Sequence, residues 1–291
     1  MQYVGGAQGA GCVFCDALAA EDDAVQLILL RGTRAFIILN LYPYNSGHAM
    51  VVPYAHAAQL DALDSATRAE LMELATDFSS AARRVLRCAG FNLGLNLGEV
   101  AGAGVAEHLH LHVVPRWLGD ANFMPLLAGT TVMPELLPVT YARLRAELER
   151  QRVERQPGGI AHAGVLALLP DGRVVLRCTA GGEIVIPSVN IWPDETASDA
   201  ALRAARDLVG LPAQVAGWAG NASVAGSIAE PQRSSILIAV AAAHPAAPFQ
   251  LEPDALCVAL EKLVATLTGA TSQAIAVAAL PVMRRLMESN S

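Results

Sequence analysis

Apolar and polar positions alternate along this chain in two ways, at period two in short runs and at helical spacing in a few longer ones. Leu27–Leu30 and Ala35–Leu39 are apolar runs separated by Arg31-Gly32-Thr33-Arg34, the pattern of a hairpin of two antiparallel strands. Residues 40–47 hold Pro43, Asn45 and Gly47 and read as a turn-rich loop before a strand at Ala49–Pro53. From an N-cap at Asp64 or Ser65 to about Arg87, Leu71, Leu74, Ala75, Phe78, Ala82 and Val85 recur at helical spacing, and Gly90 is expected to end that helix. Strands follow at Phe91–Leu97 and His108–Val114, joined by a Gly/Ala loop at Gly98–Gly104. An amphipathic helix around Pro138–Gln151 is expected to close this half, with Gln156-Pro-Gly-Gly159 as linker. The pattern predicts an α+β domain over residues 1–155, in which an antiparallel sheet packs against helices. A second domain over residues 156–291 opens with a hairpin signal, Ala163–Leu169 and Val174–Cys178 about Pro170-Asp171-Gly172. It continues with a helix from about Ser198 to Val209 capped by Gly210, a buried strand at Ser235–Ala242, and a helix at Asp254–Leu267.

Length agrees with two domains, since 291 residues suffice for two cores of ordinary size. The net charge of −7 offers no basic field to a nucleic-acid backbone, so long nucleic acid is not an expected partner and any phosphate site must be a local pocket. Lys262 is the only lysine, and no Walker A loop occurs. The first residues lack the pattern of a secretory signal, residues 1–11 being Gly-rich and irregular. The Ala/Val-rich runs near 236–243 and 274–280 are too short to span a bilayer, so the reading is a soluble, cytoplasmic protein with no membrane partner. Among five cysteines, Cys12 and Cys15 form a Cys-x-x-Cys pair that reads as zinc, redox or accident. Cys88, Cys178 and Cys257 are scattered and read as inert.

Chemistry concentrates in Glu107-His108-Leu109-His110-Leu111-His112. Its imidazoles recur every second residue, which on a strand puts all three on one face and Leu109, Leu111 and Val113 on the other. Only seven histidines occur in the chain, so the spacing is informative. Imidazole serves as nucleophile, acid–base group or metal ligand near neutral pH, according to which nitrogen is free. His108-x-His110-x-His112 followed by two valines resembles the signature of the histidine triad superfamily of nucleotidyl hydrolases and transferases. The resemblance extends over Asn40-Leu-Tyr-Pro-Tyr-Asn-Ser-Gly-His48, Val51-Val-Pro53, His56 and Asn96-x-Gly98, about the first half of the chain.

The resemblance implies that His110 attacks an α-phosphorus to give a covalent nucleotidyl-histidine, with His112 and His48 on the phosphate oxygens or assisting proton transfer. Asn40 would contact the ribose hydroxyls, and Asn96 with backbone N–H groups of Gly102, Gly104 and Val105 would face the phosphates. Gly104 stands where the family usually has Gln or Ser, so one donor to a bridging oxygen is missing. A zinc-binding subset implies a structural Cys2His2 site from Cys12, Cys15, His56 and His108, closed and tetrahedral. The stretch from Glu107 to Phe123 is similar to the branch acting on dinucleoside polyphosphates such as diadenosine tri- and tetraphosphate, and a homodimer is expected by resemblance alone. Alternatives are a nucleoside phosphoramidate or adenylyl-sulfate hydrolase, or a nucleotide-binding regulatory protein with little turnover.

The second half resembles a Nudix-like α/β/α domain. Glu195, Arg203, Asp207 and Gly210 match box positions, but Ala204, Leu208 and Val189 replace two glutamates and a glycine. Apolar residues cannot ligate a hard cation, so no magnesium site and no hydrolysis are expected there. His162 and His244 are read as isolated structural or surface histidines.

Overall fold

The structure, a computed structural model, describes residues 11–120, 135–210, 212–224, 233–242 and 253–268, together with 273, 276, 277, 279–281 and 283–285. Residues 1–10, Phe123 and His244, and parts of the two Ala/Val-rich runs, lie outside this set. The chain divides into two compact units, 1–136 and 137–291.

The first unit begins with α1 (Val13–Ala19) and the single turn α2 (Asp23–Gln26). Strands β1 (Ile28–Arg31), β2 (Ala35–Leu39) and β3 (Ala49–Pro53) then run antiparallel to one another. Helix α3 (Ser65–Leu86) starts where the Asp64 carboxylate accepts the Thr67 N–H, the capping geometry expected from an Asp before an amphipathic run. It stops at Arg87, which adopts the left-handed conformation at φ 52°, so the helix ends three residues before Gly90. Gly90 instead opens β4 (Gly90–Leu95), paired with β5 (Leu111–Arg116). The sheet order is β1-β2-β3-β5-β4, an antiparallel sheet with helix α3 on it, as an α+β reading requires. β2 and β3 are buried at every position because both their faces are covered.

One correction touches the histidines directly. The strand begins at Leu111, not at His108, so only His112 lies on it. The Leu109 N–H donates to the Ala57 carbonyl at 2.7 Å and the His108 ring reaches the Pro53 carbonyl, contacts that hold residues 108–110 outside the ladder. The alternation of side chains survives, but His108 and His110 are as buried as Leu109 and Leu111.

The second unit begins earlier than the sequence pattern suggests. Helix α4 (Leu137–Glu154) packs on strands and a helix of this unit, so the division falls at 136/137 rather than at 155/156. Its apolar side buries Ala142, Ala146 and Val153 in the same core as Ala163, Val165 and Ile238, a tertiary choice that helical periodicity cannot express. Gln156-Pro-Gly-Gly159 is therefore a tight turn inside the unit. The Gly159 N–H bonds the Gln156 carbonyl, and a Cβ at Gly159 would collide with the Val153 carbonyl.

β6 (Ile160–Leu168) and β7 (Arg173–Cys178) form the expected hairpin, with β8 (Ile184–Val185) and β9 (Ser188–Asn190) beside them. Helix α5 (Ala197–Val209) has a reciprocal cap, in which Thr196 and Asp199 exchange side-chain and backbone bonds, and it ends at Gly210 in the left-handed conformation. β10 (Ala213–Val224) pairs antiparallel with β11 (Arg233–Ala242), which lies parallel to β6. The expected helix at 254–267 is mostly something else: β12 (Ala255–Ala259) extends the sheet beside β7, then a 3-10 turn leads to the short α6 (Leu263–Thr266). The free edge of β7 captures an apolar segment whose intrinsic preference does not decide its state. Side chains of β6 alternate between two cores, Ala163, Val165 and Ala167 facing α4 and α5, Leu166 and Leu168 facing α6. No helix among the described residues is long and apolar enough to cross a membrane.

Candidate functional site

Two clusters form around residues 108–112. In the first, Cys12, Cys15, His56 and His108 bring one ligand atom each to within 4.8 Å of one another. Cys12 Sγ lies 3.2 Å and Cys15 Sγ 3.6 Å from His108 Nδ1, and Cys15 Sγ lies 3.4 Å from His56 Nδ1. A tetrahedral zinc with ordinary Zn–S and Zn–N bonds separates S and N ligands by about 3.5 Å. His108 Nε2 faces the Pro53 carbonyl at 2.9 Å and so carries the proton, which leaves the Nδ1 lone pair aimed at the thiols. The donor set and its tautomer both suit a cation of this kind.

In the second cluster, His48, His110 and His112 meet, with ring centroids of His110 and His112 4.8 Å apart and of His48 and His112 5.1 Å apart. His110 Nδ1 lies 2.8 Å from the His108 carbonyl oxygen, so Nδ1 donates and Nε2 keeps a free lone pair. His48 Nδ1 accepts the Tyr44 N–H at 3.1 Å and the Asn40 carboxamide N–H at 3.3 Å. That fixes the proton on His48 Nε2, which donates to His112 Nδ1 at 2.9 Å and leaves the His112 proton on Nε2. A backbone amide thus sets, through two rings, which nitrogen His112 offers as a donor.

The rings of His48, His110 and His112, and that of His108, are held neutral. Burial, then the neighbouring His112 and His110, lower the His48 pKa to about 3, and burial with His110 lowers His112 to about 4. Burial also lowers His110, opposed by its bond to the His108 carbonyl, and lowers His108. A neutral imidazole with a bare nitrogen is the nucleophilic form. Phe14, delivered by α1, meets the His108 ring edge-on and the His110 ring at a tilt, at centroid distances of 5.4 and 5.2 Å.

The remaining candidates fall into place unequally. Asn40 is committed to the protein, its carboxamide bonding His48 and its oxygen accepting the Tyr42 N–H at 3.0 Å. Asn96 faces a cavity beside His112. The Gly102 N–H is used in a turn to the Glu99 carbonyl, at φ 82°, and the Val105 side chain packs on the apolar cluster around Phe14. Gly104 lies between them in the same loop. Sequence reasoning missed Tyr44, whose ring lies over those of His48 and His112 at 4.7 and 6.0 Å. It also missed the clasp in which Asp120 accepts two bonds from Arg116 at 2.6 Å and one each from Asn45 and the Trp117 N–H. These donors, Arg116 first, hold the Asp120 carboxyl well below the usual carboxylate range. No periodicity could have shown that residues 45 and 120 meet.

In the second unit, Glu195 and Arg203 form a two-point ion pair at 2.7 and 2.8 Å, and the Arg203 guanidinium lies 3.9 Å above the Trp192 ring. Ala204 and Leu208 point into the core, and Val189 packs on it.

The HIT domain family is matched over residues 23–117. The AP-4-A phosphorylase of Mycobacterium tuberculosis is 48% identical over 129 residues, 44% of this chain and 66% of that relative, so the chain spans just under two thirds of its length. An uncharacterized HIT-like protein of the same organism is 31% identical over 109 residues, 38% of this chain and 74% of the relative. The chain belongs to the HIT family. The crystal structure of a Zn-bound histidine triad family protein from Mycobacterium smegmatis is similar at 27% identity and a TM-score of 0.42, covering 50% of this chain and 97% of that one. The HIT match begins at residue 23, so Cys12, Cys15 and Phe14 lie outside it, although they pack on the HIT histidines.

Proposed function

We propose that the first unit is a nucleotidyl-transfer enzyme that cleaves dinucleoside polyphosphates such as diadenosine tetraphosphate, with inorganic phosphate as second acceptor. The observation that carries this reading is the tautomer chain, which leaves His110 Nε2 bare while His112 Nε2–H stands beside it as a donor. His110 Nε2 attacks the α-phosphorus, an N–P bond forms, and the bond to the bridging oxygen breaks with its electron pair leaving on ATP. The positive charge that develops on the ring is held by the His108 carbonyl at Nδ1. His112 Nε2–H holds a non-bridging oxygen, with His48 fixing its orientation. A phosphate oxygen then attacks the same phosphorus, the N–P bond breaks back onto Nε2, and ADP departs. The name of the AP-4-A phosphorylase relative favours phosphate over water in this step. Asn40 reaches the ribose with its remaining N–H, and Asn96, Gly104 and Val105 serve the phosphates.

Zinc is read as structural at Cys12, Cys15, His56 and His108, where four protein ligands leave no open position. When bound it fixes His108, whose carbonyl orients the nucleophile. A homodimer belongs to the same reading: β4 is an edge strand with Leu93 45% exposed. The second unit is read as a Nudix-like scaffold without a magnesium site, supported by the sheet covered on both faces and by Ala204 and Leu208 in the core. The whole reading places the protein in the cytoplasm.

The test is incubation with diadenosine tetraphosphate with and without inorganic phosphate, followed by product separation. ADP plus ATP only with phosphate is expected, AMP plus ATP without it means hydrolysis, and full activity in His110→Ala refutes the covalent route.

A further inference from the structure

The segment Arg116-Trp117-Leu118-Gly119-Asp120 turns back on itself at the end of β5. The Asp120 N–H donates to the Trp117 carbonyl, and Gly119 takes a left-handed φ of 78°, which glycine adopts without strain in such a turn. The Asp120 carboxylate is thereby carried back over Arg116. Two guanidinium nitrogens of Arg116 grip it at 2.6 Å, and the third holds the Asn92 carboxamide oxygen on β4 at 2.7 Å. With Arg116 partly exposed, this ion pair adds little stability by itself. Its carboxylate, however, also accepts from a residue 75 positions away.

That residue is Asn45, which spends both carboxamide N–H groups on this end of β5. One goes to Asp120 Oδ2 at 2.8 Å and one to the Pro115 carbonyl at 3.2 Å. The Asn45 carbonyl accepts the His48 N–H at 3.0 Å, so the residue is held from three directions. Tyr44 directly precedes it, and the Tyr44 N–H reaches His48 Nδ1 at 3.1 Å. The Tyr42 N–H holds the oxygen of the Asn40 carboxamide, whose N–H reaches the same nitrogen at 3.3 Å. Both donors that place the His48 proton on Nε2 therefore depend on the loop over residues 40–47 that Asn45 anchors. The two are unequal, because a carboxamide presents nitrogen or oxygen according to its rotation, whereas a backbone amide can only donate.

We propose that Asn45 and Asp120 are positioning residues for the histidines. They act at one remove, through the backbone between residues 44 and 45, so that the Tyr44 N–H keeps His48, and through it His112, in the single tautomer in which His112 offers a donor at Nε2. For its effect on turnover the inference rests on the nucleotidyl-transfer reading above, and for the tautomer it does not.

The test reads the tautomers directly. Two-bond proton–nitrogen correlation spectra of the labelled full-length chain at neutral pH should show His48 and His112 with a bare Nδ1 and a protonated Nε2. Asn45→Ala and Asp120→Ala should each draw the two nitrogen shifts of His48 together, as a mixture of tautomers does. Asn45→Asp, which keeps the side-chain shape and sets two carboxylates against each other, should do the same. Asp120→Asn keeps an oxygen for Asn45 and should retain the wild-type pattern. On diadenosine tetraphosphate, kcat should fall about tenfold in both alanine variants with KM little changed. The double variant should lie within about twofold of either single one, because both remove the same tie. Amide exchange at Val51 reports whether the sheet is intact in each protein. Unchanged His48 shifts in Asn45→Asp or in the folded alanine variants overturn the proposal, whatever happens to turnover. So does an Asp120→Asn protein that behaves like Asp120→Ala, or a rise in KM alone. Wild-type protein that leaves diadenosine tetraphosphate intact, while its variants show these shifts, refutes the enzymatic reading and leaves the positioning role standing.

Discussion

His48 is fully buried and neutral, and that makes the first unit sensitive to acid in a calculable way. Its imidazole titrates near 6.5 in an unfolded chain and about 3 in the folded one, where burial and the neighbouring rings oppose its charge. Between those values the unfolded state binds more protons, so stability falls as pH drops through the window and levels off below about 3. Linkage from this one ring costs about 2 kcal/mol between pH 7 and pH 5, and about 3 kcal/mol by pH 4. His112 adds in the same direction between 6.5 and about 4, by less than its shift implies because the ring is partly exposed to solvent. The perturbation is His48→Asn, which removes the titrating ring but leaves every candidate metal ligand in place. The assay is native-state amide exchange at Val51 and Val113, which lie in the sheet of the first unit and report on it apart from the second. Wild type should lose about 2 kcal/mol more than His48→Asn from pH 7 to pH 5. Equal pH slopes in the two proteins would mean that the folded ring titrates normally, and the tautomer chain built on its neutrality would fall.

Asn40→Ala removes the carboxamide bond to His48 Nδ1 and should lower kcat about tenfold, measured by steady-state kinetics on diadenosine tetraphosphate. An unchanged kcat with a raised KM would mean that the bond to His48 does not matter and that Asn40 serves only the ribose. Chelation at neutral pH should remove one zinc per chain, measured by atomic absorption, and lower kcat, because α1 carries both Cys15 and the Phe14 ring that packs on His110. Cys15→Ala should reproduce both effects, and activity indifferent to the metal would separate the two clusters. Arg203→Ala breaks the two-point pair with Glu195 and the stack on Trp192, and should lower the melting temperature of the second unit by about 2–4 °C in calorimetry. Nucleotidyl transfer should be unaffected, since nothing in the proposed chemistry uses that unit.

Local pattern was enough wherever neighbours in sequence settle the outcome. The α3 start at Asp64, the α5 end at Gly210 and the hairpin of β6 and β7 follow from capping and turn chemistry within a few residues. Spacing alone marked His108, His110 and His112, while the metal-type cluster and the part played by His48 were expected only from the resemblance to the histidine triad superfamily. The turn at Arg87 was not legible, since a non-glycine residue at φ 52° is held there by what surrounds it. Residues 254–267 escaped for a related reason, as β7 offers an unpaired edge that only the folded sheet contains.

The sequence by itself singled out His108, His110 and His112 by their spacing and laid out the α+β first half by its apolar periodicity, and the resemblance to the histidine triad superfamily supplied the candidate nucleophile. Tertiary structure alone decided the tautomers, the tie from Asn45 to Asp120 and the allegiance of α4 to the second unit. Each of those depends on contacts between residues far apart in the chain. Periodicity records only which face of an element is apolar, and not what that face will meet.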